Sequence, residues 1–149
     1  MSTKRKIRRK ISKKTAKKRI LKGGNPILNY SWEGLKTLPK LDDGILHLFC
    51  NNNLLTELPI LPNSLLHLNC SSNKLIKLPV LPNNLQELDC GRNNLNELPD
   101  LPDSLEDLLC ERNEIRELVT LPSNLIKLDC NNNKINKLPT LPNKLISLD

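Results

Sequence analysis

The residues of this chain best suited to metal binding or redox chemistry are its cysteines. Five of them lie twenty residues apart, at Cys50, Cys70, Cys90, Cys110 and Cys130. Zinc sites need four ligands in a tetrahedral arrangement, often with two cysteines as a close pair, and this spacing provides no such pair. A buried thiol otherwise packs as a small apolar side chain. The pattern therefore predicts core packing, with no metal and no cofactor.

The two histidines and the glycines do not indicate catalysis either. His47 and His67 are also twenty residues apart, and no serine or cysteine nucleophile is expected beside them. The single glycine pair, Gly23 and Gly24, is not part of a phosphate-binding GxxxxGK motif. We therefore predict a protein that is not an enzyme and that has no small-molecule substrate.

The elements that must position these side chains are repeats of twenty residues with the pattern LxxLxCxxNxLxxLPxLPxx. A fixed period of this length is typical of a solenoid, in which each unit buries its apolar edge against its neighbours. Five complete rows occupy 45–64, 65–84, 85–104, 105–124 and 125–144, and a truncated sixth row follows. Because the sixth row stops before its cysteine position, we expect an open end that favours fraying or end-to-end association.

Each part of the pattern predicts a local structure. Leu-x-Cys, as at Leu88 and Cys90, alternates with period two and predicts a short strand with both side chains inward. The Leu-Pro-x-Leu-Pro run excludes a helix interior, so the back of each coil should be extended or polyproline-like. The asparagine column, as at Asn93, predicts amides that bond the backbone where the chain turns.

At these residues the chain resembles the leucine-rich repeats, in particular the short LPxLP class of secreted bacterial effectors. Cysteine-bearing repeats of this kind are also similar to those of giant DNA viruses. The resemblance covers 45–149 in full and 27–44 loosely. It implies an α/β-class horseshoe, here almost free of helix, with short parallel strands on a concave face and an extended convex face. Effector repeats often precede a ubiquitin-ligase domain, so it also implies the alternative of a substrate-recognition fragment of such a ligase, active in a host–pathogen interaction.

Residues 25–44 form a degenerate row that we interpret as an N-terminal cap. Tyr30 falls in the cysteine column and Trp32 follows two positions later. Terminal repeats are atypical because one face has no neighbour, so both aromatic side chains are expected to cover the first coil. Row 105–124 departs from the pattern at Val119, where the other rows have proline, and its back is expected to bend differently.

The third, fifth and seventh positions of each row should point outward from the concave strands, where such a scaffold displays its binding residues. They include a central acidic zone, two apolar residues expected to be exposed, and the two histidines. The predicted partner-binding residues are His47, Phe49, His67, Glu87, Asp89, Asp107, Leu109, Glu111, Lys127 and Asp129. The acidic character favours a basic protein partner or the chain's own basic segment.

That basic segment is an N-terminal arm over 1–24, which we expect to be disordered because like charges repel and little apolar area is available. Residues 1–22 hold twelve of the 23 Lys and Arg residues and none of the 16 Asp and Glu residues, which leaves the repeats with a balance of −5. The arm resembles a nuclear-localisation or nucleic-acid-binding tract. Its candidate residues are Lys4, Arg5, Lys6, Arg8, Arg9, Lys10, Lys13, Lys14, Lys17, Lys18 and Arg19.

These features predict a non-enzymatic protein-interaction module that binds a partner through its concave face. The alternative from the arm is a nucleic-acid-binding or nuclear-targeted adaptor. The odd number of cysteines favours a reducing, intracellular location, in the cytoplasm or nucleus. The resemblance to secreted effectors implies that this cell can be a host cell. No apolar run approaches the roughly 20 residues that span a bilayer, so no membrane association is expected.

Overall fold

The chain forms one sheet of eight short strands, arranged in sequence order, in a computed structural model that describes residues 17–19 and 26–149. The strands are β1 (Lys17–Arg19), β2 (Ile27–Asn29), β3 (His47–Phe49), β4 (His67–Asn69), β5 (Glu87–Asp89), β6 (Asp107–Leu109), β7 (Lys127–Asp129) and β8 (Ser147–Leu148). The described residues contain no helix, and hence none long and apolar enough to cross a membrane.

From β2 onward the strands are parallel and in register, one from each twenty-residue coil. Leu48 pairs with Leu68, Leu68 with Leu88 and Leu88 with Leu108, so equivalent positions of successive rows lie side by side. Strand neighbours in a sheet are about 4.8 Å apart. The repeat period therefore becomes a set of columns that run across the sheet, and the predicted solenoid of parallel strands is confirmed.

Strand β1 differs because it pairs with β2 antiparallel, with Lys17 opposite Asn29 and Arg19 opposite Ile27. The edge of a parallel sheet presents unpaired N–H and C=O groups that an extended segment can bond. Residues 17–19 are extended and paired here, and the disordered arm over 1–24 stays a prediction. The other residues of the arm lie outside the described part of the chain.

The core is a column of leucine and cysteine side chains between the sheet and the back of each coil. Twelve Leu and Ile side chains between Leu48 and Leu125 are fully buried. Burying one such side chain contributes about 1.5–3 kcal/mol, so stacked aliphatic rows replace the aromatic core that this composition lacks. Cys50, Cys70 and Cys90 are 0% exposed, as the core-packing prediction requires.

The back of each coil is extended and returns to the sheet through a proline-initiated turn. In successive rows the N–H of Leu65, Leu85 and Leu105 donates to the carbonyl of the proline three residues earlier, at 3.0–3.1 Å. Asn or Asp occupies the first position after each of these prolines, and such residues favour turns. The local chemistry of the LPxLPxx segment therefore fixes where each coil closes.

The expectation for the irregular row 105–124 agrees with the structure, whereas the expectation for the cap agrees only in part. Row 105–124 bends at Glu117, whereas the preceding row bends one position earlier at Asn96, and Leu118 is half-buried where Leu98 is 4% exposed. This agrees with the expected change of the back at Val119. In the cap, Tyr30 packs against the core, but Trp32 is 77% exposed, so the expectation that Trp32 covers the first coil is wrong.

The reason lies in the backbone of the asparagine turn. Trp32 has a φ of 61°, and the equivalent residue of every later coil, including Arg92 and Arg112, also has a positive φ between 53° and 56°. This left-handed residue points its side chain away from the core. The cap keeps the turn of the repeats although its sequence does not follow their pattern.

Candidate functional site

Asparagine side chains inside each turn hold the open face of the sheet in place. The amide of Asn93 donates to the carbonyls of Cys70, Cys90 and Gly91 at 3.0–3.2 Å, and its oxygen accepts the N–H of Leu75 at 3.0 Å. Asn73 and Asn113 make the same set of bonds one coil earlier and one coil later. These amides satisfy buried backbone groups of two coils at once, which makes the turns rigid.

The solvent-facing side of the strands, which we call the open sheet face, carries the predicted binding residues in straight columns. His47, His67, Glu87, Asp107, Lys127 and Ser147 form one column, since each pairs with the next across the ladder. Phe49, Asn69, Asp89, Leu109 and Asp129 form a second column two residues further along the strands. The buried leucine lies between them on the opposite side.

Seven of the ten predicted residues surround one depression of about 400 Å³. They are His47, Phe49, His67, Glu87, Asp89, Asp107 and Leu109. The other three, Glu111, Lys127 and Asp129, do not line it and continue the two columns or the adjoining turn toward β7. The structure therefore brings most of the predicted set to one concave area of the sheet.

Phe49 and Leu109 are the apolar residues of this area, on β3 and β6. The sequence predicted that both would be exposed, whereas the structure shows both half-buried. Side chains on adjacent strands are only about 4.8 Å apart, so each covers part of its neighbours. The two residues line opposite ends of the depression and offer apolar surface between polar residues.

Two histidines and a glutamate form a contiguous polar row at the β3 end. The rings of His47 and His67 are stacked, with centroids 4.3 Å apart and planes 9° apart. Nδ1 of His67 lies 2.8 Å from Oε2 of Glu87. Burial lowers the pKa of His47, and the neighbouring His67 lowers it further, while Glu87 raises it.

Carboxylates crowd the other side of the area, around the turns that follow β5, β6 and β7. Burial raises the pKa of Asp89, although hydrogen bonds and Arg92 oppose the shift. Burial also raises the pKa of Glu111, and the negative charges of Asp89 and Asp129 add to it. Nε of Arg92 lies 3.8 Å from Oε1 of Glu111. The carboxylate of Glu111 lies against the backbone of Gly91 and occupies the space that a Cβ at residue 91 would fill.

The turn bond that Asp89 accepts is made by a neutral side chain in the preceding coil. Oδ1 of Asp89 accepts the N–H of Gly91 at 3.2 Å, and Oδ1 of the neutral Asn69 accepts the N–H of Ser71 at 3.1 Å in the preceding coil. Phe49 and Leu109 occupy the same column without an oxygen to offer. A turn that accepts Asn, Phe or Leu does not require a carboxylate, so the negative charge is available for another role.

Four of the five thiols are shielded from solvent. Burial raises the pKa of Cys50 to about 12 and raises those of Cys70, Cys90 and Cys110 well above the ordinary range. A thiol held in this protonated form is a poor nucleophile and a poor metal ligand. Cys130 is half-buried, because the last coil covers it less completely. Within 26–149 no group of three or more His, Cys, Asp or Glu side chains is arranged to hold a metal ion.

Sequence reasoning missed an apolar pair on the back of the solenoid. Ile60 and Val80 are 91% and 88% exposed and occupy equivalent positions of adjacent coils. The signal was present in the variable residue of LPxLP, which is Ile or Val in these two rows and polar at Lys40, Asp100 and Thr120. Asn69 was missed as a lining residue of the depression.

Three of the candidate nucleic-acid-binding or targeting residues lie in the described part of the chain, and the others lie outside it. Lys17, Lys18 and Arg19 form β1, and Lys4, Arg5, Lys6, Arg8, Arg9, Lys10, Lys13 and Lys14 lie outside the described residues.

A single sheet of parallel strands, wound with one strand per twenty-residue coil and turned by an asparagine ladder, defines a leucine-rich-repeat solenoid. Solved structures of bacterial effectors resemble it. YopM from Yersinia enterocolitica WA-314 is 41% identical over 76% of this chain, with a TM-score of 0.76. The leucine-rich-repeat domain of a Shigella effector is 40% identical over 76% of the chain, with a TM-score of 0.74. YopM from Yersinia pestis is 34% identical over 81%, with a TM-score of 0.67.

The chain is therefore a leucine-rich-repeat protein of the short twenty-residue class, similar to these effector repeats. It spans 25%, 52% and 41% of the lengths of the three matched chains, in the same order. No protein-family model and no curated protein matches it. The fold is that of a protein-interaction module in general.

Proposed function

We propose that this chain is a non-enzymatic interaction module whose open sheet face binds a basic segment of a partner protein. The observation that carries the proposal is that Asn69 and Asp89, one neutral and one charged, occupy equivalent positions of one column. Both accept the same turn hydrogen bond, so this bond does not depend on the carboxylate. A negative charge that the turn bond does not require, in a depression of about 400 Å³, is suited to binding a cation of a partner.

The neighbouring residues support a peptide-like ligand. Asp89, Asp107 and Glu87 lie on two adjacent strands around the depression, and Leu109 and Phe49 supply apolar contacts. A lysine or arginine side chain combines an apolar stem with a charged end, and such side chains match an apolar floor bordered by carboxylates. Binding would place a cation near Asp89 and Glu111 and would thereby lower the raised pKa values of both carboxyl groups.

The experiment is affinity purification with the full chain, followed by a binding measurement with the purified partner. Asp89→Lys together with Asp107→Lys is expected to abolish capture, and the affinity of the wild-type chain should fall with added salt. The matched control is Glu57→Lys with Glu97→Lys, which makes the same charge change at two exposed positions of the back. If the control pair weakened binding as much as the sheet-face pair, the open sheet face would not be the binding surface.

A second candidate function rests on the charge of the arm. Twelve Lys and Arg residues without one acidic residue in 1–22 provide the composition for sequence-independent binding to nucleic acid. The test measures the affinity of the full chain for mixed-sequence RNA and DNA before and after the arm cations are changed to glutamine. Unchanged affinity would reject this function. The ubiquitin-ligase alternative rests on resemblance alone and stays a prediction.

The thiols bear on where such a module would work. Five free cysteines lie in a single column, and Cys130 is only half-buried. We propose a reducing, intracellular location, including that of a host cell, because oxidation at Cys130 would open the last coil. Mass measurement after mild oxidation is expected to show modification of Cys130 before the four buried thiols.

A further inference from the structure

We propose that residues 1–16 of the chain dock on its own open sheet face, where they act as a tethered occupant that a partner must displace. The inference rests on the proposed function, since it assigns a regulator to the same surface. It is argued from the position of β1, the length of chain before it and the charges on both sides.

Strand β1 brings the arm to the side of the sheet where the carboxyl-terminal ends of the parallel strands lie. Because β1 is antiparallel to β2, its first residue Lys17 lies beside Asn29, the last residue of β2. The segment before Lys17 therefore reaches the sheet at the edge where the parallel strands end. Asp89 and Asp129 are the last residues of β5 and β7, and Glu111 follows the end of β6 by two residues. The carboxylates of Asp89, Glu111 and Asp129 and the start of β1 therefore lie on the same side of the sheet, at the carboxyl-terminal ends of the parallel strands.

The length of the segment is sufficient. Six strand spacings separate β1 from β7 in the sheet order, which corresponds to about 29 Å. Sixteen residues in an extended conformation span about 53 Å. The segment is thus long enough to run from β2 to β7 past the carboxyl-terminal ends of the strands, and the repeats need no rearrangement.

The charges are complementary. Residues 1–16 contain eight Lys and Arg residues and no acidic residue. Asp89 and Asp129 end β5 and β7, Glu111 follows β6 by two residues, and Arg92 is a nearby cation. Phe49 on β3 lies between these carboxylates and β1, whereas Leu109 on β6 lies between Asp89 and Asp129. Both line the depression, and their apolar surface is suited to receive Ile7 and Ile11. The arm therefore offers the chemistry that the face lacks.

Docking is measured by paramagnetic broadening in the full chain. Ser12→Cys carries a nitroxide label, and the same labelling of the chain without this substitution controls for reaction at Cys130. We expect broadening of the amide signals of Phe49, Asp89 and Leu109, and none at Ile60 and Val80 on the back. Salt should remove the broadening, because exposed charges are screened over about 8–10 Å at moderate ionic strength. Unbroadened sheet-face signals at low salt would overturn the proposal.

Matched variants separate the open sheet face from a general effect of charge. Asp89→Asn, Glu111→Gln and Asp129→Asn together should abolish the broadening. The control combines Glu57→Gln, Glu97→Gln and Glu117→Gln, three exposed residues of the back, and should leave it intact. Equal loss in both variants would reject the site. Broadening of an isotope-labelled chain by a separate spin-labelled chain would show that the arm of a second copy binds, which would reject docking within one molecule.

Displacement has its own readout. A synthetic peptide with the sequence of residues 1–16 should bind a full chain whose eight arm cations are changed to glutamine about tenfold more tightly than the wild-type chain, because a short tether gives the arm an effective concentration near millimolar. Equal affinities would contradict the proposal. Failure of the two proposals can be distinguished, because arm docking is measured without a partner and partner capture is repeated with the arm-neutral chain. Capture that depends on Asp89 and Asp107 without arm docking would leave only the proposed function standing.

Discussion

The imidazole rings of His47 and His67 lie face to face on adjacent strands, 4.3 Å between centroids and 9° between planes. Two protonated rings at this distance would repel, and the fold supplies one carboxylate, Glu87, which lies against His67. Burial lowers the pKa of His47 first, and His67 lowers it second, whereas Glu87 acts in the opposite direction. The two rings are therefore not equivalent. Glu87 lies against His67, and His47 is a weaker base than a free histidine.

Nuclear magnetic resonance titration is expected to give His47 a pKa below 6.5. His67→Gln should raise that pKa by removing a neighbouring positive charge, and Glu87→Gln should lower it by removing a negative one. Because burial remains in both variants, neither should restore the ordinary value in full. Shifts in the opposite directions would show that the rings and Glu87 do not interact as the geometry indicates.

The pH dependence of stability follows from the same shift. A histidine with a lowered pKa in the folded state contributes stability that is fully present above pH 6.5, its unfolded value, and is lost as the pH falls through the folded value. Urea denaturation between neutral pH and pH 5 should therefore show a smaller pH-dependent loss for His47→Gln than for the wild-type chain. The same loss in both chains would assign the effect to other groups.

Asp89→Asn is expected to stabilise the fold at neutral pH by up to about 1 kcal/mol. Asparagine keeps the bond to the N–H of Gly91, as Asn69 shows one coil earlier, and removes a partly buried charge. The folded pKa of Asp89 is raised above 3.8, so the wild-type carboxyl favours the folded state below pH 3.8 and loses this contribution as the pH rises through the folded value. The advantage of the variant should thus disappear in acid.

Denaturation curves at neutral pH and near pH 3 measure that difference, with Glu97→Gln on the back as the control. Asp89→Asn should at the same time weaken binding of a basic partner. A variant that is less stable at neutral pH would show that the carboxylate serves the fold, and the argument from the Asn69 and Asp89 exchange would fail.

Asn93→Ala is expected to lower the free energy of unfolding by about 1–3 kcal/mol, because four backbone groups lose their partner inside the turn. Asn94→Ala is the matched control, since Asn94 is exposed and its N–H still donates to the carbonyl of Leu75. Chemical denaturation of both variants gives the comparison. Similar midpoints for the two variants would contradict the structural role of the asparagine column.

Arg112→Asn is expected to raise stability by up to about 1 kcal/mol. Arg112 has a φ of 53°, a left-handed conformation that asparagine adopts more readily than arginine. Asn52 and Asn132 already occupy the equivalent position with φ of 56° and 54°. Thermal unfolding of the variant measures the gain, and Arg116→Asn, an exposed substitution outside this turn, controls for the loss of charge.

Much of the candidate site followed from the spacing of the residues. The period of twenty placed Leu88 and Cys90 inward and assigned Glu87 and Asp89 to the outer side, because side chains of a strand alternate. The prolines predicted an extended back, and the register of the strands then followed from the repeat. A single rule, repeated five times, left little freedom for alternatives.

The errors have physical reasons as well. Trp32 was expected to cover the core because bulky apolar residues are usually buried, yet its backbone occupies the left-handed position of the turn, which faces outward. Phe49 and Leu109 were expected to be exposed, but their neighbours on adjacent strands cover part of each side chain. Strand β1 was not foreseen, since pairing at a sheet edge depends on the unpaired backbone of β2 and not on the side chains of residues 17–19.

The sequence by itself determined the winding of this protein, because a period of twenty with leucine, cysteine, asparagine and proline at fixed positions admits one kind of coil. Only the tertiary structure decided which outward residues touch. The stacking of His47 on His67, the contact of Glu111 with Gly91 and the antiparallel edge strand β1 all arise between residues of different coils or beyond them. Their distances depend on how the coils lie against each other, and the pattern within one coil carries no information about those distances.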